Sequence, residues 1–175
     1  YSGGSKLVPI HPAAYLNNGN MNFQLANHLF KGFSNTTDDN YYTVELFDIT
    51  GDGKLDLCLG GKNRLRIVPN NNSTFNRKEA INIKVDLSLE VLDMLFMDFD
   101  EDGKIDILTL NNKNGYQGYA LQLYLNRGKQ FIEVTEEYFD KNHESGNDSW
   151  IKWLRLFDYD QDGDLDIVAD GLHGS

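Results

Sequence analysis

Three nine-residue runs constrain this chain more than any other feature. They are Asp48-Ile49-Thr50-Gly51-Asp52-Gly53-Lys54-Leu55-Asp56, Asp98-Phe99-Asp100-Glu101-Asp102-Gly103-Lys104-Ile105-Asp106 and Asp158-Tyr159-Asp160-Gln161-Asp162-Gly163-Asp164-Leu165-Asp166. All follow one plan, with oxygen-bearing side chains at positions 1, 3, 5 and 9 and glycine at position 6. Their first residues stand 50 and 60 positions apart. Recurrence at such a period marks a repeat architecture, one supersecondary unit per copy.

The spacing carries its own chemistry. Alternate residues of a tight loop turn their oxygens toward one centre, and the glycine takes backbone geometry that a side chain disfavours. Carboxylates brought together in this way repel, so the plan makes sense around a hard cation. Calcium fits best, because it accepts about six to eight oxygens in loose geometry, whereas magnesium insists on a tight octahedron and keeps its waters. The expected ligands are Asp48, Thr50, Asp52 and Asp56 in the first loop, then Asp98, Asp100, Asp102 and Asp106, then Asp158, Asp160, Asp162 and Asp166. One Ca2+ per loop makes about three per chain.

An EF-hand loop shares the opening D-x-D-x-D-G but needs a bidentate acid at position 12 and helices on both sides. Here position 12 is Leu59, Thr109 and Ala169, and the last acid sits at position 9 inside apolar runs at 55–59, 105–110 and 165–169. Those runs read as strands, and the EF-hand reading fails. A solvated Asp-rich turn without metal is the plain alternative for one copy. Three copies in register, each between apolar strands, favour the metal.

Composition bounds the rest. At 175 residues and 40% hydrophobic content the chain can build one ordinary domain core. No apolar stretch approaches the length of a membrane span. The opening Tyr1-Ser2-Gly3-Gly4-Ser5 is neither a signal peptide nor an initiator Met, so the chain is expected to be processed or excised from a longer one. A formal net charge of −11 argues against nucleic-acid or anionic-membrane partners. Twelve Asp lie in the three loops, and three divalent cations would cancel about half of the charge, so the acidity reads as ligand supply. The single cysteine, Cys58, excludes an intrachain disulfide and sits in Leu57-Cys58-Leu59 as a buried thiol. Loops of this kind in extracellular modules hold calcium with ~10⁻⁴–10⁻³ M dissociation constants, which favours a location outside the cell.

A second element recurs. Tyr15-Leu16-Asn17-Asn18-Gly19 runs into an Asn-Gly turn and out to Phe23; Tyr124-Leu125-Asn126-Arg127-Gly128-Lys129-Gln130-Phe131 repeats it, and residues 68–75 hold a degraded copy. Asn-Gly between apolar flanks is a strong hairpin signal. Feeder strands precede the loops at 41–47, 91–97 and 151–157, apolar on both faces as in a buried sheet stack. Residues 81–91 alternate apolar and polar, and 134–142 can form at most a turn or two of helix. The order is hairpin, loop, hairpin, loop, hairpin, loop. Each loop with its two strands and the following hairpin makes four strands, the content of one propeller blade.

The combination of D-x-D-x-D-G-x-x-D, an aliphatic strand and an L-x-N-x-G-x-x-F hairpin resembles the FG-GAP/VCBS repeat family, the calcium-loop β-propeller repeats of integrin α-chain heads and many secreted bacterial proteins. The resemblance covers nearly the whole chain. It implies one calcium per loop, with position 7 giving its backbone carbonyl, here Lys54, Lys104 and Asp164. It also implies an all-β fold of four-stranded antiparallel blades, about three blade equivalents. These are an outer half-blade at 1–35, blades at 36–85 and 86–145, and an inner half-blade at 146–175. The first loop departs from the pattern, since Thr50 replaces an Asp and Gly51 adds flexibility, so it is expected to be the weakest site. Three blades are fewer than a closed propeller needs, which implies either a fragment of a longer propeller or self-association.

No other chemistry stands out. His11, His28, His143 and His173 lack metal or triad spacing, and no nucleophile, P-loop or dinucleotide signature is present. Trp150, Trp153, Tyr116 and Tyr119 are expected mainly as buried strand aromatics, with sugar stacking as the alternative. The reading is a non-catalytic, calcium-stabilised extracellular module that binds a protein or glycan. Its rivals are a lectin, using loops such as 111–119, and a segment of a polysaccharide-degrading enzyme.

Overall fold

The computed structural model describes residues 12–33, 40–86, 88–113, 118–140, 144 and 151–170. Strands dominate. A hairpin of β1 (Tyr15–Asn17) and β2 (Phe23–Leu25) opens the described chain. The first four-stranded antiparallel sheet orders β4 (Tyr41–Phe47), β5 (Asp56–Gly61), β6 (Arg64–Val68) and β9 (Ile81–Lys84). The second orders β10 (Leu89–Met97), β11 (Asp106–Lys113), β12 (Tyr119–Asn126) and β13 (Phe131–Glu133). β14 (Leu154–Phe157) and β15 (Asp166–Ala169) form a two-stranded antiparallel pair. The only α-helix among the described residues is the single turn α1 (Thr135–Tyr138). This is the all-β, blade-like architecture that the repeats predict.

The second sheet is sandwiched, and its period of two shows how. On β11, Ile107 joins one core with Cys58, Leu65, Ile67 and Val91, while Leu108 and Leu110 join another with Leu123, Ile151 and Leu154. Alternate side chains thus bury toward alternate neighbours, and β10 packs against β4 on one side and β14 on the other. Phe47 and Phe96 stack between the first two sheets with ring centroids 4.9 Å apart. Close approach there depends on Gly60, where an added Cβ would lie 2.6 Å from both Thr43 Cγ2 and Val91 Cγ1.

Four sequence expectations are corrected. The hairpin at 68–75 does not supply the outer strand of its sheet. Pro69 offers no N–H to extend β6, and Asn72 and Ser73, both at positive φ, turn β7 (Asn70–Asn71) back on β8 (Thr74–Asn76). β8 then pairs in parallel with β3 (Phe30–Lys31), with Phe30 stacked on Phe75 at 5.8 Å, and β9 takes the fourth place in the sheet. The alternating run 81–91 is not one strand but two, divided between neighbouring sheets, although Ile83, Val85, Leu89 and Val91 all enter the same core; Leu87 lies outside the described residues.

The third correction concerns the feeder strands. β10 is buried on both faces, but Val44 (49% exposed) and Leu46 (50%) on β4 and Phe157 (61%) at the end of β14 face outward. Among the described residues, no sheet covers those two faces. The fourth concerns Trp153, which is 37% exposed with the Arg155 guanidinium 5.5 Å over its ring. Trp150 and Tyr116 lie outside the described residues. Cys58 is fully buried, and burial pushes its thiol pKa far up, as an inert core thiol requires.

Candidate metal centres

All three acidic runs occupy one structural place, the connection between the first and second strands of a sheet. Position 1 follows the last residue of β4, β10 or β14, and position 9 is the first residue of β5, β11 or β15. The pairs Phe47–Asp56, Met97–Asp106 and Phe157–Asp166 stand opposite each other in register. The strands therefore bring positions 1 and 9 together, and the loop has only to fold the middle residues inward.

Backbone N–H groups fold it. The position-6 glycine donates to Oδ2 of position 1 in every copy, at 2.8 Å from Gly53, 2.8 Å from Gly103 and 3.2 Å from Gly163. The position-7 N–H donates to Oδ1 of position 5, from Lys54 (3.0 Å), Lys104 (3.0 Å) and Asp164 (2.9 Å). The position-2 N–H donates to Oδ2 of position 9, from Ile49 (3.1 Å), Phe99 (2.8 Å) and Tyr159 (2.8 Å). Position 4 is left-handed throughout, with φ of 72° at Gly51, 58° at Glu101 and 64° at Gln161. Gly51 therefore fits a conformation that the other two copies hold with a side chain.

The copies differ in what converges. Carboxylate oxygens of Asp98, Asp100 and Asp106 lie within 4.8 Å of one another, as do those of Asp158, Asp160 and Asp162. The described residues of the first loop form no such group of three. There Asp48 Oδ1 accepts from Gly51 N–H (2.8 Å) and Asp52 N–H (3.1 Å), and Thr50 brings no carboxylate. Two atoms test whether a cation fits. Asp100 Oδ1 and Asp158 Oδ1 are buried without any hydrogen-bond donor. A buried carboxylate oxygen without a donor is costly, and a hard cation at the centre of these groups is what satisfies it. The donor set, carboxylates alone, suits calcium or magnesium rather than a softer metal.

Lysines close the outer side of two loops. Lys54 Nζ donates to Asp52 Oδ2 at 2.9 Å and Lys104 Nζ to Asp102 Oδ2 at 2.8 Å, and these bonds hold both carboxyls below the usual range. Asp164 replaces the lysine in the third loop. Asp106 shifts the other way. Burial raises its pKa most, partly offset by N–H bonds from Asn126 and Phe99.

Sequence reasoning found the loops and the hairpins as separate motifs, and the structure shows them joined. Asp106 Oδ1 accepts from Asn126 N–H at 2.7 Å, and Asp56 Oδ1 accepts from Asn70 N–H at 2.9 Å. The Asn side chains return the bond to the loop backbone, Asn126 Nδ2 to Ile105 O (3.1 Å) and Asn70 Nδ2 to Leu55 O (2.9 Å). Asn126 Nδ2 also reaches Ile49 O in the neighbouring loop at 3.4 Å. No local sequence signal marks Arg127, whose Nη1 reaches Asp100 Oδ2 at 2.6 Å and Asp102 Oδ2 at 2.9 Å; it stands 25 residues after Asp102.

No curated protein matches the chain at a significant level. The FG-GAP-like repeat family matches it twice, over residues 48–109 and 98–169. Both matches begin on position 1 of an acidic loop, and together they span most of the chain. With recurring blade sheets, recurring loops and the bonds that tie the first two loops to the hairpins after them, the chain belongs to the FG-GAP-like repeat family.

Proposed function

We propose that this chain is a calcium-stabilised β-propeller module that works outside the cell as a binding or adhesion element, without catalysis of its own. The observation that carries the proposal is the pair of buried, donor-free oxygens, Asp100 Oδ1 and Asp158 Oδ1, each within a converged carboxylate group. Calcium at each loop would neutralise carboxylates that the strand ends force together. Asp48, Asp98 and Asp158 at position 1, Thr50, Asp100 and Asp160 at position 3, Asp52, Asp102 and Asp162 at position 5 and Asp56, Asp106 and Asp166 at position 9 would hold it, with the carbonyls of Lys54, Lys104 and Asp164 completing the set. If about 1 mM calcium meets a ~10⁻⁴ M site, each ion stabilises the fold by roughly 1.4 kcal/mol. Extracellular calcium supports that; cytosolic calcium does not.

The ligand class we favour is a protein or a glycan. A lectin built on Asn111 and Asn112 is disfavoured, since both side chains are buried in β11. The solvent-facing Trp153 keeps an aromatic sugar platform in play. Melting curves with calcium and with EDTA test the stabilising role, and Asp98→Asn and Asp158→Asn should each remove part of the calcium-dependent gain. Equal melting in both buffers would contradict it. A glycan array read with and without EDTA then separates glycan from protein binding.

The blade assignment, with whole blades at 36–85 and 86–145, leaves two halves that suit each other. In both whole blades, the residue after the position-9 Asp stands opposite the residue two before the hairpin Asn, Leu57 with Val68 and Ile107 with Tyr124. The same rule sets Ile167 opposite Tyr15, which is 64% exposed where Tyr124 is 2%. Completion of that blade by a second copy predicts a disulfide when Tyr15→Cys and Ile167→Cys variants are mixed. Its failure to form would leave other segments of a longer propeller as the partner.

A further inference from the structure

We propose that Arg127 is a resident cation of the loop 98–106, a built-in counter-charge that holds this loop together without metal and weakens its hold on calcium. The inference rests on the calcium reading above. Arg127 is one residue past the hairpin asparagine, a place filled by Asn18 and Asn71 in the other two hairpins. The Asp106–Asn126 bond, at 2.7 Å, delivers it to the mouth of the loop. Its guanidinium takes Oδ2 of Asp100 and Oδ2 of Asp102, while Lys104 Nζ takes the same oxygen of Asp102. Asp102 thus has both oxygens engaged, Oδ1 by Lys104 N–H and Oδ2 by two cationic groups.

The consequence shows in which acids converge. In the loop 158–166, which has no basic residue, the position-5 Asp162 joins Asp158 and Asp160 in the close group. In the loop 98–106, position 5 is absent from the group and the position-9 Asp106 stands in its place. Arg127 and Lys104 draw Asp102 outward, so the loop offers calcium a less negative field. Meanwhile Asp100 Oδ1 stays buried and directed away from the guanidinium contact at Oδ2, so the centre stays accessible to an ion. The two sites are therefore graded, the third loop tighter and the second less dependent on calcium for its shape.

The test is a calcium titration of the full chain followed by amide NMR, with the Gly103 and Gly163 N–H signals reporting one loop each. In the wild type, the Gly163 midpoint is expected at lower calcium than the Gly103 midpoint. Arg127→Gln should move the Gly103 midpoint about threefold to tenfold lower, the scale of one unit charge near a divalent ion in water-like dielectric. It should leave Gly163 in place and lower the melting temperature in EDTA. Arg127→Lys, which keeps the charge, should keep the wild-type midpoint. A Gly103 midpoint that stays fixed or rises in Arg127→Gln, with both glycines still responding to calcium, overturns this inference alone. No calcium response at either glycine overturns the calcium reading and this inference with it.

Discussion

Replacing Asn126 with Ala should be the most damaging single change in a turn of this chain. The side chain is almost completely buried, and it bridges three backbone groups. Nδ2 donates to Ile105 O at 3.1 Å and to Ile49 O at 3.4 Å, and Oδ1 accepts from Gly128 N–H at 2.9 Å. A net hydrogen bond is worth about 1 kcal/mol, and a buried group left without its partner costs more. The longest of the three contributes little. The sum is about 2–3 kcal/mol, or a fall of roughly 5–10 °C in Tm for a chain of this size. Asn70→Ala removes the matching bonds to Leu55 O (2.9 Å) and from Ser73 N–H (2.8 Å), but at the surface, where water replaces them. Its cost should be about 1 kcal/mol or less. Urea unfolding in EDTA, followed by intrinsic fluorescence, measures both. Equal losses at the two positions would refute the claim that burial and the contact across to the neighbouring loop set the value.

Gly51→Ala and Gln161→Gly probe the left-handed position 4 from opposite sides. No atom crowds a Cβ at Gly51, so the cost is conformational, about 1 kcal/mol, and Gln161→Gly should recover a similar amount; the same sign for both in thermal unfolding would contradict this. Glu45 on β4 is held above the usual carboxyl range by burial first and then by Asp93, with Arg155 opposing. The folded state then binds the proton more tightly than the unfolded chain, so this contribution to stability is full below the ordinary Glu range and is lost as pH rises through the raised value. Wild-type stability measured against Glu45→Gln in calcium-free buffer should fall as pH rises above the ordinary Glu range, and parallel curves would contradict a raised Glu45.

Much of this molecule was legible because the motifs that repeat are also the ones that fix the geometry. The nine-residue loops connect first and second strands with positions 1 and 9 at strand ends, as the apolar runs around them imply. The hairpin asparagines were visible as a pattern, but their purpose was not, because Asp106 and Asn126 meet only after β11 and β12 pair. Arg127 was hidden for the same reason. Its partners are distant in sequence, and no local rule marks an arginine at that turn. The Pro69 signal, which diverts β7 and β8 away from their sheet, was present in the sequence and readable in principle. So was Gly60-Gly61 within a strand, a sign of close backbone approach, where a Cβ on Gly61 would come 2.4 Å from Asn40 O. The exposure of β4 and β14 was not readable, because an apolar strand looks the same in sequence whether or not a neighbour covers it.

Calcium counting by native mass spectrometry tests the central claim most directly. The chain is sprayed from calcium acetate and, as control, after EDTA. The account predicts calcium adducts that EDTA removes, at least two per chain, with Asp158→Asn and Asp98→Asn each losing one. Folded protein that carries no calcium in either buffer would contradict it, and the acidic loops would then be plain turns that their own backbone N–H groups hold closed.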